Sequence, residues 1–261
     1  MKNKIIIALL SFNLVFILQA CKTDNAVNTF SQSENYYEYA SLYGDFSPAH
    51  NFEYVIKDNN AVIVSYIGDE KTVVIPETLG EYKVTELEYD CFRGKDDIRI
   101  VVVPKTVKNI GDGAFSNCKA LRQVVMQYGL ESIGDSAFAF CPSLHISRMP
   151  DSVHSIGDKL FKDCTLLSEV VLSKGIDGIT FEMFDGCLSL ENIELDENIS
   201  YIDRNAFYGC KKLEVIKILQ SVSEIGVGAF DKCSASLAFN TPLTSKAAEY
   251  ANENNIYIKN K

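Results

Sequence analysis

Phe92, Phe115, Phe138, Phe161, Phe184, Phe207 and Phe230 are spaced 23 residues apart, with no insertion or deletion between them. A fixed period of this length restricts a chain to architectures built by stacking one small unit, because a single unit cannot bury its own apolar face. Other columns keep the register. Five residues before each Phe stand Leu87, Ile110, Ile133, Ile156, Ile179, Ile202 and Ile225. Four before it are Gly111, Gly134, Gly157 and Gly226, with Glu88, Thr180 and Asp203 in the other copies. Ala114, Ala137, Ala206 and Ala229 precede the Phe directly, and Cys118, Cys141, Cys164, Cys187, Cys210 and Cys233 follow it by three. Six after it come Ile98, Leu121, Leu144, Leu167, Leu190 and Leu213.

Two further columns lie nine and eleven residues after the Phe. They read Val101, Val124, Ser147, Val170, Ile193, Ile216 and Val103, Met126, Met149, Leu172, Leu195, Ile218, with mixed residues between them. That alternation predicts a short half-buried strand. The Gly-x-x-Ala-Phe-x-x-Cys stretch groups its apolar residues at a spacing of three to four, which predicts a helical or 3₁₀ turn. The expected fold is therefore an α/β repeat: seven coils of 23 residues, parallel strands on one face and helical turns on the other. Solenoid ends need covers, because an open coil exposes strand edges and core. Residues 50–83 supply strand-like runs for one cap and residues 243–261 a helix and a strand for the other, around a solenoid at 84–242. Thr180 and Asp203, in the glycine column, leave the local twist of the fifth and sixth copies open.

The stretch Ile110-Gly111-Asp112-Gly113-Ala114-Phe115-Ser116-Asn117-Cys118-Lys119-Ala120-Leu121, with a second copy at Ile133 to Leu144, resembles the bacterial surface-antigen (BspA-like) leucine-rich repeat. Val102-Val103-Pro104-Lys105-Thr106-Val107 resembles that family's strand exit. The resemblance covers about residues 50 to 258. It implies a leucine-rich-repeat solenoid or horseshoe, and adhesion to host matrix, cell-surface protein or other bacteria.

Ahead of the repeats, residues 1–20 pair a basic start, Lys2 and Lys4, with an apolar run from Ile5 to Leu18 that is short for a membrane span. This reads as a secretory signal peptide. Leu18-Gln19-Ala20-Cys21 closely resembles the bacterial lipobox, which implies that Cys21 carries lipid after cleavage. Residues 21–49 follow as an Asn-, Ser- and Tyr-rich spacer. The expected location is the outer membrane at the cell surface, with a periplasm-facing anchor as the alternative.

Composition narrows the function. The formal charge of -10 argues against nucleic acid and against membrane contact other than the lipid anchor. Metal ligation needs clustered ligands, but the six in-register thiols form a line along the solenoid, and no metal or other cofactor is expected. Disulfides between adjacent coils would join parallel Cβ vectors, a poor match to the dihedral they require. Buried free thiols acting as small hydrophobes, each with a weak S–H donor for a coil carbonyl, fit all six alike. Cys141 with His145 or His154 suggests a nucleophile pair, but Cys141 is one of six equivalents with nothing to activate it, so no catalysis is expected.

The outward strand positions carry the binding expectation. They are Ile100, Gln123, Ile146 and Glu169 in one row and Val102, Val125, Arg148 and Val171 beside it, several of them aliphatic where solubility alone favours charge. The same residue types also suit any strand, and the N-terminal leader could cover them. The expected partner is a protein, from host matrix or a bacterial surface, bound by a monomer. A glycan-binding role in nutrient capture would favour aromatic platforms, which these rows lack, and a periplasmic envelope scaffold is the third reading.

Overall fold

The structure, a computed structural model, describes residues 45–259. The expected signal peptide, Cys21 and most of the expected spacer lie outside the described residues. After a 3₁₀ turn at Ala49–Asn51, the front of the chain forms β1 (Phe52–Lys57), β2 (Asn60–Tyr66), β3 (Thr72–Val74), β4 (Thr78–Leu79) and β5 (Tyr82–Leu87). Each following coil contributes two short strands. These are β6 (Ile100–Val103) and β7 (Asn109–Ile110), β8 (Gln123–Met126) and β9 (Ser132–Ile133), then β10 (Ile146–Arg148) and β11 (Ser155–Ile156). They continue as β12 (Glu169–Val171) and β13 (Gly178–Ile179), β14 (Asn192–Ile193) and β15 (Tyr201–Ile202), then β16 (Val215–Lys217) and β17 (Glu224–Ile225). β18 (Ala238–Asn240), α1 (Lys246–Glu253) and β19 (Tyr257–Ile258) close the chain.

The stacking is parallel and in register with the period: Ile100 pairs with Gln123, Arg148 with Val171 and Ile110 with Ile133. The first strand of each coil builds a sheet in the order β3-β6-β8-β10-β12-β14. The second strand builds another, β1-β2-β5-β7-β9-β11, with β4 on β5. Two three-stranded sheets, β13-β15-β17 and β16-β18-β19, continue these faces. The solenoid has about nine turns, two more than the Phe count suggests. At the front β2 and β3 stack on β5 and β6, and at the back β18 stacks on β16, so both termini add coil-like turns that lack the repeat's Phe.

The expected helical face is a correction. Among the described residues the α-helix is α1 alone, and the Gly-x-x-Ala-Phe-x-x-Cys stretch is a run of turns. Two positions per coil interrupt any helix, because their φ lies in the left-handed region, between 53° and 75°. One column is Asp90, Gly113, Ser136, Lys159, Glu182, Asn205 and Gly228; the other is Gly94, Asn117, Phe140, Asp163, Gly186, Gly209 and Lys232. Backbone N–H groups that a helix would keep for itself instead donate to the next coil. Gly113, Phe115 and Asn117 donate to Asp135, Ala137 and Ala139 at 2.8–2.9 Å, and equivalent triplets recur at every junction from Asp90 to Asp231. The fold is thus a three-sided parallel β-solenoid.

One apolar interior runs through it. The seven Phe rings are buried, with adjacent centroids 5.0–5.7 Å apart in stacked geometry. Tyr66 extends the stack at the front, 5.1 Å from Phe92, with Phe52 beyond it. At the back Phe239 meets Phe230 edge-on at 4.8 Å, and Tyr250 of α1 lies 6.0 Å away. The helix starts as its sequence predicts: Ser245 caps it, its hydroxyl accepting from Ala248 N–H at 3.1 Å.

Candidate functional site: the strand face and the thiol ladder

Inward side chains of the strand face repeat, and outward ones do not. Val101, Val103, Val124, Met126, Val170 and Ile193 are buried in the main core. On the outer side the structure corrects the expected exposed aliphatic patch. Val102 is fully buried, as is Val74 beside it; together they form a separate small cluster outside the sheet, with Ile100 and Val125 packed against it. This is where the chain enters the domain: Ser47 N–H donates to the Val74 carbonyl at 3.0 Å, and Val74 N–H donates to Ser47 Oγ at 3.1 Å. Gln123, Glu169 and Val171 are half-buried, Arg148 is exposed, and the backbone of Ile146 in β10 pairs with Glu169. Further along, Asn192, Glu194, Val215 and Lys217 are exposed. Open surface therefore starts near β10 and is mixed polar.

The cysteines occupy equivalent positions in the interior. Each S–H donates to the carbonyl of the Phe one coil back: Cys118 to Phe92, Cys141 to Phe115, Cys164 to Phe138 and Cys187 to Phe161, all at 3.1 Å. Cys210 to Phe184 (3.3 Å) and Cys233 to Phe207 (3.0 Å) complete the series. Burial pushes the Cys164 thiol up to about 12. Cys141 is buried while His145 and His154 are exposed, so the nucleophile pair is not assembled. Cys91, in the alanine column, is buried and free.

Two features escaped the sequence reading. Asp112, Asp135 and Asp158 form a column of carboxylates. Asp112 accepts from Asp135 N–H and Asp135 from Asp158 N–H at 2.8 Å, and Asp158 accepts from Phe181 N–H at 3.2 Å. Their 23-residue spacing was a usable signal. At the end of this column the Lys159 ammonium and the Arg204 guanidinium lie 5.4 and 5.3 Å from the Phe181 ring centroid. The second feature is the extension of the Phe stack by Tyr66, Phe239 and Tyr250. Phe239 continues the column nine residues after the Phe, one period beyond Ile216, whereas Tyr66 and Tyr250 lie outside the period and left no such signal.

Short parallel strands stacked at a 23-residue pitch around a buried aromatic and thiol spine define a leucine-rich-repeat solenoid. The BspA type leucine rich repeat region matches in 6 copies over residues 85–194 and 136–259, and the chain belongs to that family. Among solved structures, the T. pallidum leucine-rich repeat protein is 28% identical with a TM-score of 0.70, the match covering 79% of this chain and 95% of that one. A leucine-rich repeat protein from Bacteroides ovatus shares the fold at 23% identity and a TM-score of 0.54, over 75% of this chain and 61% of that one. No curated protein sequence gives a significant match. Leucine-rich repeat proteins are typically non-enzymatic modules that bind proteins or other macromolecules.

Proposed function

We propose that this chain is a protein-binding module held at a bacterial surface by lipid on Cys21, and that its ligand sits on the strand face from β10 onward. The observation that carries the reading is the contrast across one sheet. Inward positions repeat from coil to coil, while the exposed positions Arg148, Asn192, Glu194, Val215 and Lys217 each differ. A uniform scaffold with a non-repeating surface is how a solenoid encodes specificity. The mixed charge of the face favours a protein partner, from host matrix or a bacterial surface, and adhesion follows if the domain faces outward.

Three measurements test the proposal. Capture from host and bacterial surface extracts is expected to fall at least tenfold in the variant Arg148→Glu, Val171→Glu, Glu194→Lys, and equal capture removes the strand face as the site. Val102 is left out because a buried Glu there would disturb the fold. Cys21→Ala is expected to abolish incorporation of labelled fatty acid and to release the chain from membranes. Protease added to intact cells is expected to cleave the domain, and resistance until the envelope is opened places it inside.

A further inference from the structure

The solenoid's front cap ends in an open strand. β1 is the outermost strand of its sheet, joined antiparallel to β2, and its other edge has no partner among the described residues. It is also apolar: Tyr54, Val55 and Ile56 are 39%, 49% and 46% exposed, and every residue of β1 after Phe52 is exposed. An exposed apolar strand edge is a template for pairing with another strand.

The alternation of bonds along β1 defines which groups are free. Asp58 and Asn59, both at positive φ, form a two-residue turn that sets Lys57 opposite Asn60 and Val55 opposite Val62. Pairs next to such a turn alternate between bonded and non-bonded, so Lys57 and Val55 spend their backbone groups on β2. The N–H and C=O of Tyr54 and Ile56 face outward. The register shift near Glu53 skips Val64, which places the extra residue in β2 and leaves β1 regular.

The sequence of β1, Phe-Glu-Tyr-Val-Ile-Lys, is complementary to its own reverse about Val55. We propose that β1 is a homodimerisation edge, on which two copies of this chain pair antiparallel about Val55, each Glu53 facing Lys57 of the second copy. This register sets Tyr54 opposite Ile56 of the second copy, the two residues whose backbone groups are free, and Val55 opposite Val55 at the two-fold axis. On one face two Glu–Lys pairs flank a Val–Val contact, and on the other two Tyr–Ile pairs meet. Shifting the register by two in either direction keeps the backbone pairing but loses both charge pairs. The dimer departs from the monomer expected from the sequence, and its closed two-fold symmetry buries both open edges at once.

Sedimentation velocity over a concentration series tests this. The purified wild-type chain is expected to double in mass as concentration rises. Glu53→Lys alone sets Lys opposite Lys at both ends and Lys57→Glu alone sets Glu opposite Glu, so each is expected to remain monomeric. Mixing those two variants is expected to restore a dimer, as is the double variant Glu53→Lys, Lys57→Glu. Recovery on mixing also shows that both variants are folded. A wild-type chain that stays monomeric at every concentration overturns the proposal. So does a dimer that persists in Glu53→Lys, or a mixture that fails to pair.

Discussion

Cys233 differs from the other ladder thiols because no later coil covers it. It is half-buried beside a cleft of about 240 Å³ between the last coil and α1, lined by Phe230, Lys232, Tyr250 and Ile256 among others. The neighbouring Cys210 side chain holds the Cys233 thiol below its ordinary range, against the opposing effect of partial burial. Iodoacetamide on the native protein is expected to modify Cys233 at least tenfold faster than Cys118, Cys141, Cys164, Cys187 or Cys210, with all six reacting after unfolding; peptide mass mapping reads the order. Asp158 carries the opposite perturbation. Burial first, and then the Asp135 carboxylate, hold its carboxyl above the ordinary range near 3.8. A raised carboxyl pKa means that the fold disfavours the charged form, so the contribution is favourable at low pH and is lost as pH rises through the folded value. Asp158→Asn keeps an oxygen for Phe181 N–H and is therefore expected to raise the melting temperature at pH 7. The gain is expected to vanish near pH 3, where both forms are neutral. The thiol ladder was legible from spacing alone, because six identical neighbours leave each thiol only a local acceptor. The burial of Val102 was left open, since spacing alone does not decide whether the leader, far away in sequence, covers that side of the sheet; in the fold Ser47 bonds Val74 beside it.

The strands follow directly from period-two patterning, and their register from the repeat. The turn face did not follow, because a spacing of three to four marks apolar residues on one side of any tight bend, helical or not. What decides the bend is the pair of left-handed positions, and only some hold Gly or Asn. Phe140, Lys159, Glu182 and Lys232 adopt that region at a cost of roughly 1–2 kcal/mol each, offset by ladder bonds on both sides. The glycine column has a different cause. A Cβ at Gly134 would lie 2.6 Å from the Asp112 nitrogen and 2.9 Å from the Gly111 carbonyl carbon, both main chain. Gly134→Ala is expected to destabilise by about 1–3 kcal/mol, the usual scale of overpacking, and urea melts measure it; an unchanged midpoint contradicts backbone-to-backbone contact as the reason for this glycine. Where Thr180 takes that place, its hydroxyl donates to the Gly157 carbonyl at 2.8 Å and β13 no longer pairs with β11. At Asp203 the ladder holds, with the Asp203 carboxylate accepting from Arg204 N–H at 2.6 Å.

The two strand faces break at different junctions, between β11 and β13 on one and between β14 and β16 on the other, while the turn-face ladder and the Phe stack cross both. Staggered breaks leave every junction held by at least two of these features, so the coils form a single stack. Phe161→Ala is expected to cost roughly 3–5 kcal/mol, since it removes a fully buried ring from between two others. Phe230→Ala is expected to cost no more, although Phe239 and Tyr250 replace the missing coil and keep its ring nearly as buried. Denaturant melts of both variants decide, and a larger loss at Phe230 contradicts a stack supported by neighbours on both sides. An invariant spacing of 23 dictates parallel stacking, an aromatic spine and a row of thiols, because identical units can bury their apolar columns only against copies of themselves. The closing of the ends, the cover over Val102, the left-handed ladder and the open edge of β1 depend on contacts between unlike segments. No period in a chain encodes those contacts, so only the folded molecule displays them.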